Sequence, residues 1–116
     1  MSRLPKASLA IVEKHKITEY LLSASHPYGR AKATFFQSCG FQIDAWQELQ
    51  AALLKHAQEN AITSSAETPF GKKYIIDGPL STKDGRNPIV RTIWFIEAGE
   101  EQPRFVTAYP LKGKRS

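Results

Sequence analysis

Residues 89–96 read IVRTIWFI, and this run decides the fold. Its β-branched and aromatic side chains suit a pleated strand. Alternation sends Val90, Thr92, Trp94 and Ile96 to one side and Ile89, Arg91, Ile93 and Phe95 to the other. Both sets are largely apolar, so the strand is expected at a central position in a sheet. An arginine there is costly unless it is paired or faces a cleft, which makes Arg91 either half of a salt bridge or a phosphate clamp.

Two flanking runs supply the neighbours. Lys72 to Asp77 (KKYIID) reads as a strand stopped by Gly78-Pro79, and Arg104 to Tyr109 (RFVTAY) as another. Lys83-Asp84-Gly85-Arg86 has turn chemistry, and Ala98 to Gln102, with Gly99, closes a hairpin. Leu80 to Thr82 would add a short edge strand, and Thr63 to Thr68 reads as a polar linker. In the last strand, alternation puts Phe105, Thr107 and Tyr109 on one face.

Upstream the period is helical. Thr18 is placed to cap a short helix that ends before His26-Pro27, since the residue before a proline avoids the helical region. Arg30 to Cys39 forms a second helix, with Gly40 where a left-handed cap is needed. From Asp44, a candidate cap with Gln47 three residues on, an amphipathic helix runs to about Asn60, its stripe formed by Trp46, Leu49, Leu53 and Ala57. Helices first and strands last predict an α+β fold, with N-terminal helices packed on one face of a C-terminal three- to four-stranded antiparallel sheet. The expected organisation is one domain over 1–116: a helical part over about 9–61, a sheet part over about 70–110 and a basic tail at 111–116.

Composition narrows the function classes. With 41% hydrophobic and 23% charged residues in 116, the chain has material for a core, and no apolar run approaches a membrane span. No secretory leader is evident, and the lone Cys39 suits a reducing compartment, so a cytoplasmic location is expected. The net charge of +5 favours polyanionic partners and gathers at both ends of the chain. Nucleotide-binding glycine loops, zinc-ligand spacings and a nucleophile elbow are all missing. Asp44, Asp77 and Asp84 fall at a cap, a strand end and a turn, which argues against a two-metal centre. No metal or cofactor is therefore expected. His56 lies by the apolar stripe and reads as a core histidine, and His15 sits in the basic leader without neighbours that define a role. His26 differs, because HPYGRAK places an imidazole, a guanidinium and an ammonium within seven residues, from His26 through Arg30 to Lys32. Imidazole suits proton transfer near neutral pH, and the cations suit a phosphate or a developing negative charge.

Taken together, the motifs KITEYLLS, SHPYGRAKATFF, TPFGKKY, IVRTIWFI and PRFVTAYP resemble a family of small standalone bacterial proteins classed as a domain of unknown function, over about residues 10–111. More remotely they resemble the Barnase, EndoU, colicin and RelE superfamily of metal-independent RNases. That resemblance implies a toxin-like endoribonuclease using the uncovered sheet face. Its implied catalytic groups are His26, Lys32, Arg91, Thr107 and Tyr109, and its substrate-binding groups are Arg30, Tyr28, Lys73 and Trp94. It further implies RNA as substrate and a small acidic antitoxin-like partner encoded nearby, with no membrane. The alternative from the residues is a non-catalytic nucleic-acid- or protein-binding module, an immunity or interaction protein using the basic patch and exposed aromatics such as Tyr28 and Tyr109.

Overall fold

The computed structural model describes residues 2–23 and 30–111. Three helices precede a four-stranded antiparallel sheet. A short helix α1, Lys14–Lys16, runs on as a π-helical turn over Ile17–Leu21; α2 spans Arg30–Ser38 and α3 spans Trp46–Glu59. The strands are β1 (Ile62–Thr68), β2 (Gly71–Pro79), β3 (Ile89–Glu97) and β4 (Arg104–Pro110), in spatial order β1-β2-β3-β4.

The alternation in β3 divides the sheet as its sequence requires. Val90, Thr92 and Trp94 are fully buried, and with Tyr74, Ile76, Phe105 and Ala108 they meet the helices through Leu49, Leu53 and Ala57 of α3. The opposite face carries Ile75, Asp77, Arg91, Ile93 and Phe95, all partly exposed.

Several local expectations are corrected. The stretch 63–68 is strand rather than linker: β1 pairs with β2 in a hairpin, Ser65 opposite Tyr74 and Thr68 opposite Gly71. It lacks an alternating apolar signal because, past Ile62, it is an edge strand exposed on both faces. Leu80–Thr82 is loop; Leu80 is buried and its N–H donates to Pro88 O at 2.9 Å, so the side chain anchors a turn. Phe105 does not share a face with Thr107 and Tyr109. The register slips between Ile93↔Thr107 and Trp94↔Phe105, leaving Val106 as an extra residue. This bulge turns Phe105 inward onto Trp94, edge-to-face at 5.4 Å, and leaves Thr107 and Tyr109 on the open face.

The first helix starts at Lys14, four residues before the expected cap, and the Thr18 hydroxyl donates back to Lys14 O at 3.3 Å. Asp44 lies inside a 3-10 turn, Ile43–Ala45, and α3 begins at Trp46 without a side-chain cap bond. Gly40, at φ +101°, closes α2 as expected: Phe41 N–H donates to Phe36 O at 3.1 Å and Gly40 N–H to Gln37 O at 3.0 Å.

One polar node sits inside the core. His56 Nε2–H is shared by Gly78 O and Val90 O, both at 3.0 Å, which leaves Nδ1 to accept from the Thr92 hydroxyl at 3.1 Å. The same hydroxyl oxygen accepts from Trp94 Nε1–H at 2.9 Å. Burial holds the His56 pKa below its ordinary value, against an upward pull from the two carbonyls. A neutral ring thereby ties α3 to β2 and β3.

Candidate functional site

The α1–π turn lies along the exposed edge of β4, because Lys16 Nζ donates to Val106 O at 3.1 Å and Tyr20 and Thr107 share a hydroxyl–hydroxyl bond of 3.0 Å. Val106, the extra residue of the bulge, thus gives its carbonyl to Lys16 rather than to β3. Between turn and strand lies a groove of about 490 Å³, lined by His15, Lys16, Glu19, Tyr20, Val106 and Thr107.

Cations gather over its aromatic wall. Lys16 Nζ lies 5.7 Å and Lys32 Nζ 5.5 Å from the Tyr20 ring centroid, and Lys32 also reaches the Tyr109 ring at 6.0 Å. Such contacts hold an ammonium against the faces of the rings. Lys32 enters from α2, which contacts β4, while Thr107 and Tyr109 stand two residues apart on the open side of β4.

Arg91 adjoins this group by register, directly opposite Tyr109 on one flank and Asp77 on the other. Its Nε and Nη2 donate to the two carboxylate oxygens of Asp77 at 2.8 and 2.9 Å. The bond to Asp77, with a smaller upward influence from Tyr109 on the other flank, raises the Arg91 pKa above its usual value. Of the two roles open to Arg91 in sequence, the ion pair is the one formed. Asp77 thus takes up much of its charge.

The sequence-predicted positions therefore fall into separate groups. Lys32, Arg91, Thr107 and Tyr109 come together with Tyr20 at the α1–β4 edge. Arg30 is exposed at the start of α2, and Lys73 is exposed on β2, opposite Phe95. Trp94 is a correction: it is fully buried on the helix-covered face with its indole N–H bonded to Thr92, so it presents no surface to a substrate. His26 and Tyr28 lie outside the described residues, as do Lys112, Lys114 and Arg115 of the basic tail. His15, Lys16, Glu19 and Tyr20 were not singled out in sequence. Their signal was the i, i+4 pairing of His15 with Glu19 and of Lys16 with Tyr20, which gives each pair one helical face. Among the described residues there is no cluster of three or more His, Cys, Asp or Glu fit to hold a metal ion, and no helix long and apolar enough to cross a membrane.

Fold and site together define a class: a small α+β domain with one sheet face covered by helices and a cationic, hydroxyl-rich groove at the sheet edge. The chain belongs to the family described as Domain of unknown function (DUF6883), whose model matches residues 3–112. No curated protein matches its sequence. Its fold is similar to that of a chain from a solved contact-dependent growth inhibition toxin–immunity protein complex of Klebsiella pneumoniae 342. The TM-score is 0.69 and the identity 16%, over 92% of this chain and 97% of that one. At that identity the likeness is one of fold.

Proposed function

We propose that this protein is a toxin-like, metal-independent endoribonuclease. The observation that carries the reading is the convergence of Lys16, Lys32, Tyr20, Thr107 and Tyr109 at a groove that also holds an imidazole and a carboxylate, His15 and Glu19. Cleavage of RNA by its own 2′-hydroxyl needs a base for that proton, an acid for the departing 5′-oxygen and cations for the phosphorane. In the reading offered here, Glu19 takes the proton as the 2′-oxygen attacks phosphorus. A histidine donates a proton as the P–O5′ bond breaks, leaving a 2′,3′-cyclic phosphate and a 5′-hydroxyl. Lys16 and Lys32 face the non-bridging oxygens, and Thr107 and Tyr109 hydrogen-bond the substrate.

Two histidines compete for the acid role, His26 from the sequence motif and His15 from the groove. His15→Ala and His26→Ala, assayed separately, decide between them: the acid's loss lowers cleavage about 100-fold or more. Full activity in both variants contradicts the mechanism. The likeness to a chain of a toxin–immunity complex favours a place in a growth-inhibition system with a protein partner, and the net charge of +5 suits that partner to be a small acidic one. A non-catalytic binding module is the second reading, favoured by the neutralisation of Arg91 by Asp77. On that reading RNA or protein binding survives both histidine substitutions and no RNA is cut.

A further inference from the structure

Beyond the groove, the open face of the sheet carries three large apolar side chains among its polar ones, Ile75, Ile93 and Phe95. Ile75 and Ile93 form one cross-strand row with Thr107, and Lys73, Phe95 and Arg104 form the next. Ile75, Ile93 and Phe95 are only partly buried, and α3 packs on the opposite side, against the buried face. An antiparallel sheet with one face on the core is expected to show polar residues on the other. Large apolar side chains gathered there call for an occupant.

The position of Phe95 narrows what that occupant is. A Cβ built on Gly71 would stand 2.8 Å from Phe95 Cζ, so the ring lies across a residue of β2 that has no side chain. The ring is thus braced by backbone, with little rotamer entropy left to lose on binding. Cations flank the apolar residues: Lys73 and Arg104 stand on either side of Phe95 in its own row, and Arg91 lies two residues beyond Ile93 along the strand. Arg104 is shared with Glu13, whereas Lys73 is exposed and has no acidic partner among the described residues. From Arg91 to Phe95 the strand spans four residues, about 13 Å. A flat apolar floor between cations fits a polyanion with flat apolar faces. Ile93 lies directly opposite Thr107, so the floor starts at the groove wall.

We infer that Ile93 and Phe95 floor a stacking subsite for unpaired nucleobases, so that the ligand is a single-stranded or looped RNA segment. The inference rests on the nuclease reading for the phosphate's place in the groove. In a duplex the base faces are covered by their neighbours, and an apolar floor has nothing to offer base edges. Stacking therefore selects for strandedness and tolerates sequence.

The test uses the full chain and a fluorescent 2′-O-methyl oligoribonucleotide, which cannot be cleaved, presented as a single strand and as a perfect duplex. Anisotropy is expected to show tighter binding of the single strand. Phe95→Ala weakens that binding about five- to hundredfold, while Phe95→Tyr, which keeps the ring, holds it within about twofold. Thermal melts of each variant confirm the fold. Equal binding of duplex and single strand, or unchanged binding by Phe95→Ala, overturns the subsite. So does a Phe95-dependent self-association seen by light scattering alongside Phe95-independent RNA binding, which would reassign the face to protein contact. Ring-dependent binding with unmodified RNA left intact would sink the nuclease reading alone.

Discussion

Replacing Thr92 by valine tests the buried node that joins the long helix to the sheet. Valine matches threonine in shape, so no cavity opens and the change is confined to the hydroxyl. That hydroxyl serves two fully buried partners, donating to His56 Nδ1 at 3.1 Å and accepting from Trp94 Nε1–H at 2.9 Å. Among the described residues neither has another hydrogen-bond partner at that atom, and with Thr92, Trp94 and His56 at 0%, 0% and 2% exposure, water does not replace the oxygen. Each orphaned group costs about 1–3 kcal/mol, and the extra buried methyl returns about 1 kcal/mol. The expected net loss is about 1–5 kcal/mol, or a Tm drop of roughly 4–20 °C for a domain of this size. Thr92→Ser keeps the hydroxyl and removes one methyl, costing about 1 kcal/mol. Differential scanning calorimetry of the two variants side by side gives the comparison. A valine variant as stable as the serine variant would refute the claim that the hydroxyl, rather than packing, holds the node.

The same histidine predicts a pH dependence. Its folded pKa lies below the ordinary 6.5, so below that pH the unfolded chain binds the proton more readily. Stability then falls as pH drops from about 6.5 toward the folded pKa; denaturant titrations should show this slope in wild type and a flatter one in His56→Gln. Asp77→Asn removes the carboxylate charge beside Arg91 and should lower stability by about 1–2 kcal/mol. In an RNA-binding assay it should also strengthen phosphate affinity; weaker binding would show that Arg91 needs Asp77 to stay in place. Glycine substitutions separate strain from space. Gly71→Ala adds a clash of the new Cβ with Ile96 O to the strain of its positive φ and should cost several times the roughly 1 kcal/mol of Gly40→Ala, where nothing lies within 4 Å and only the positive φ resists. Equal losses in chemical denaturation would contradict the close strand approach.

The sequence made the sheet centre legible because period and burial agree there. In β3 each apolar residue has a core-facing or half-covered place to go, and the lone arginine had to find a carboxylate, which Asp77 supplies in register. The same logic failed where a local device broke the period. The bulge at Val106 reverses the facing of Phe105 relative to Thr107, and no residue type there announces an extra residue in the strand. The β1 edge was silent for the opposite reason, since a strand exposed on both faces needs no apolar pattern. The candidate site was half legible. Lys32, Arg91, Thr107 and Tyr109 were visible as polar residues in places that call for partners. Trp94 was misjudged once its aromatic ring was given a binding role instead of its core position. His15, Glu19 and Tyr20 became site residues only through the docking of the first helix onto β4, a tertiary contact between segments more than 80 residues apart.

Incubation of the purified protein with an unstructured RNA in EDTA, followed by analysis of the new ends, tests the central claim most directly. The account predicts fragments ending in 2′,3′-cyclic phosphate and 5′-hydroxyl, with no cut at a 2′-deoxy position. Intact RNA at stoichiometric protein, or cleavage that proceeds across a 2′-deoxy position, would contradict it.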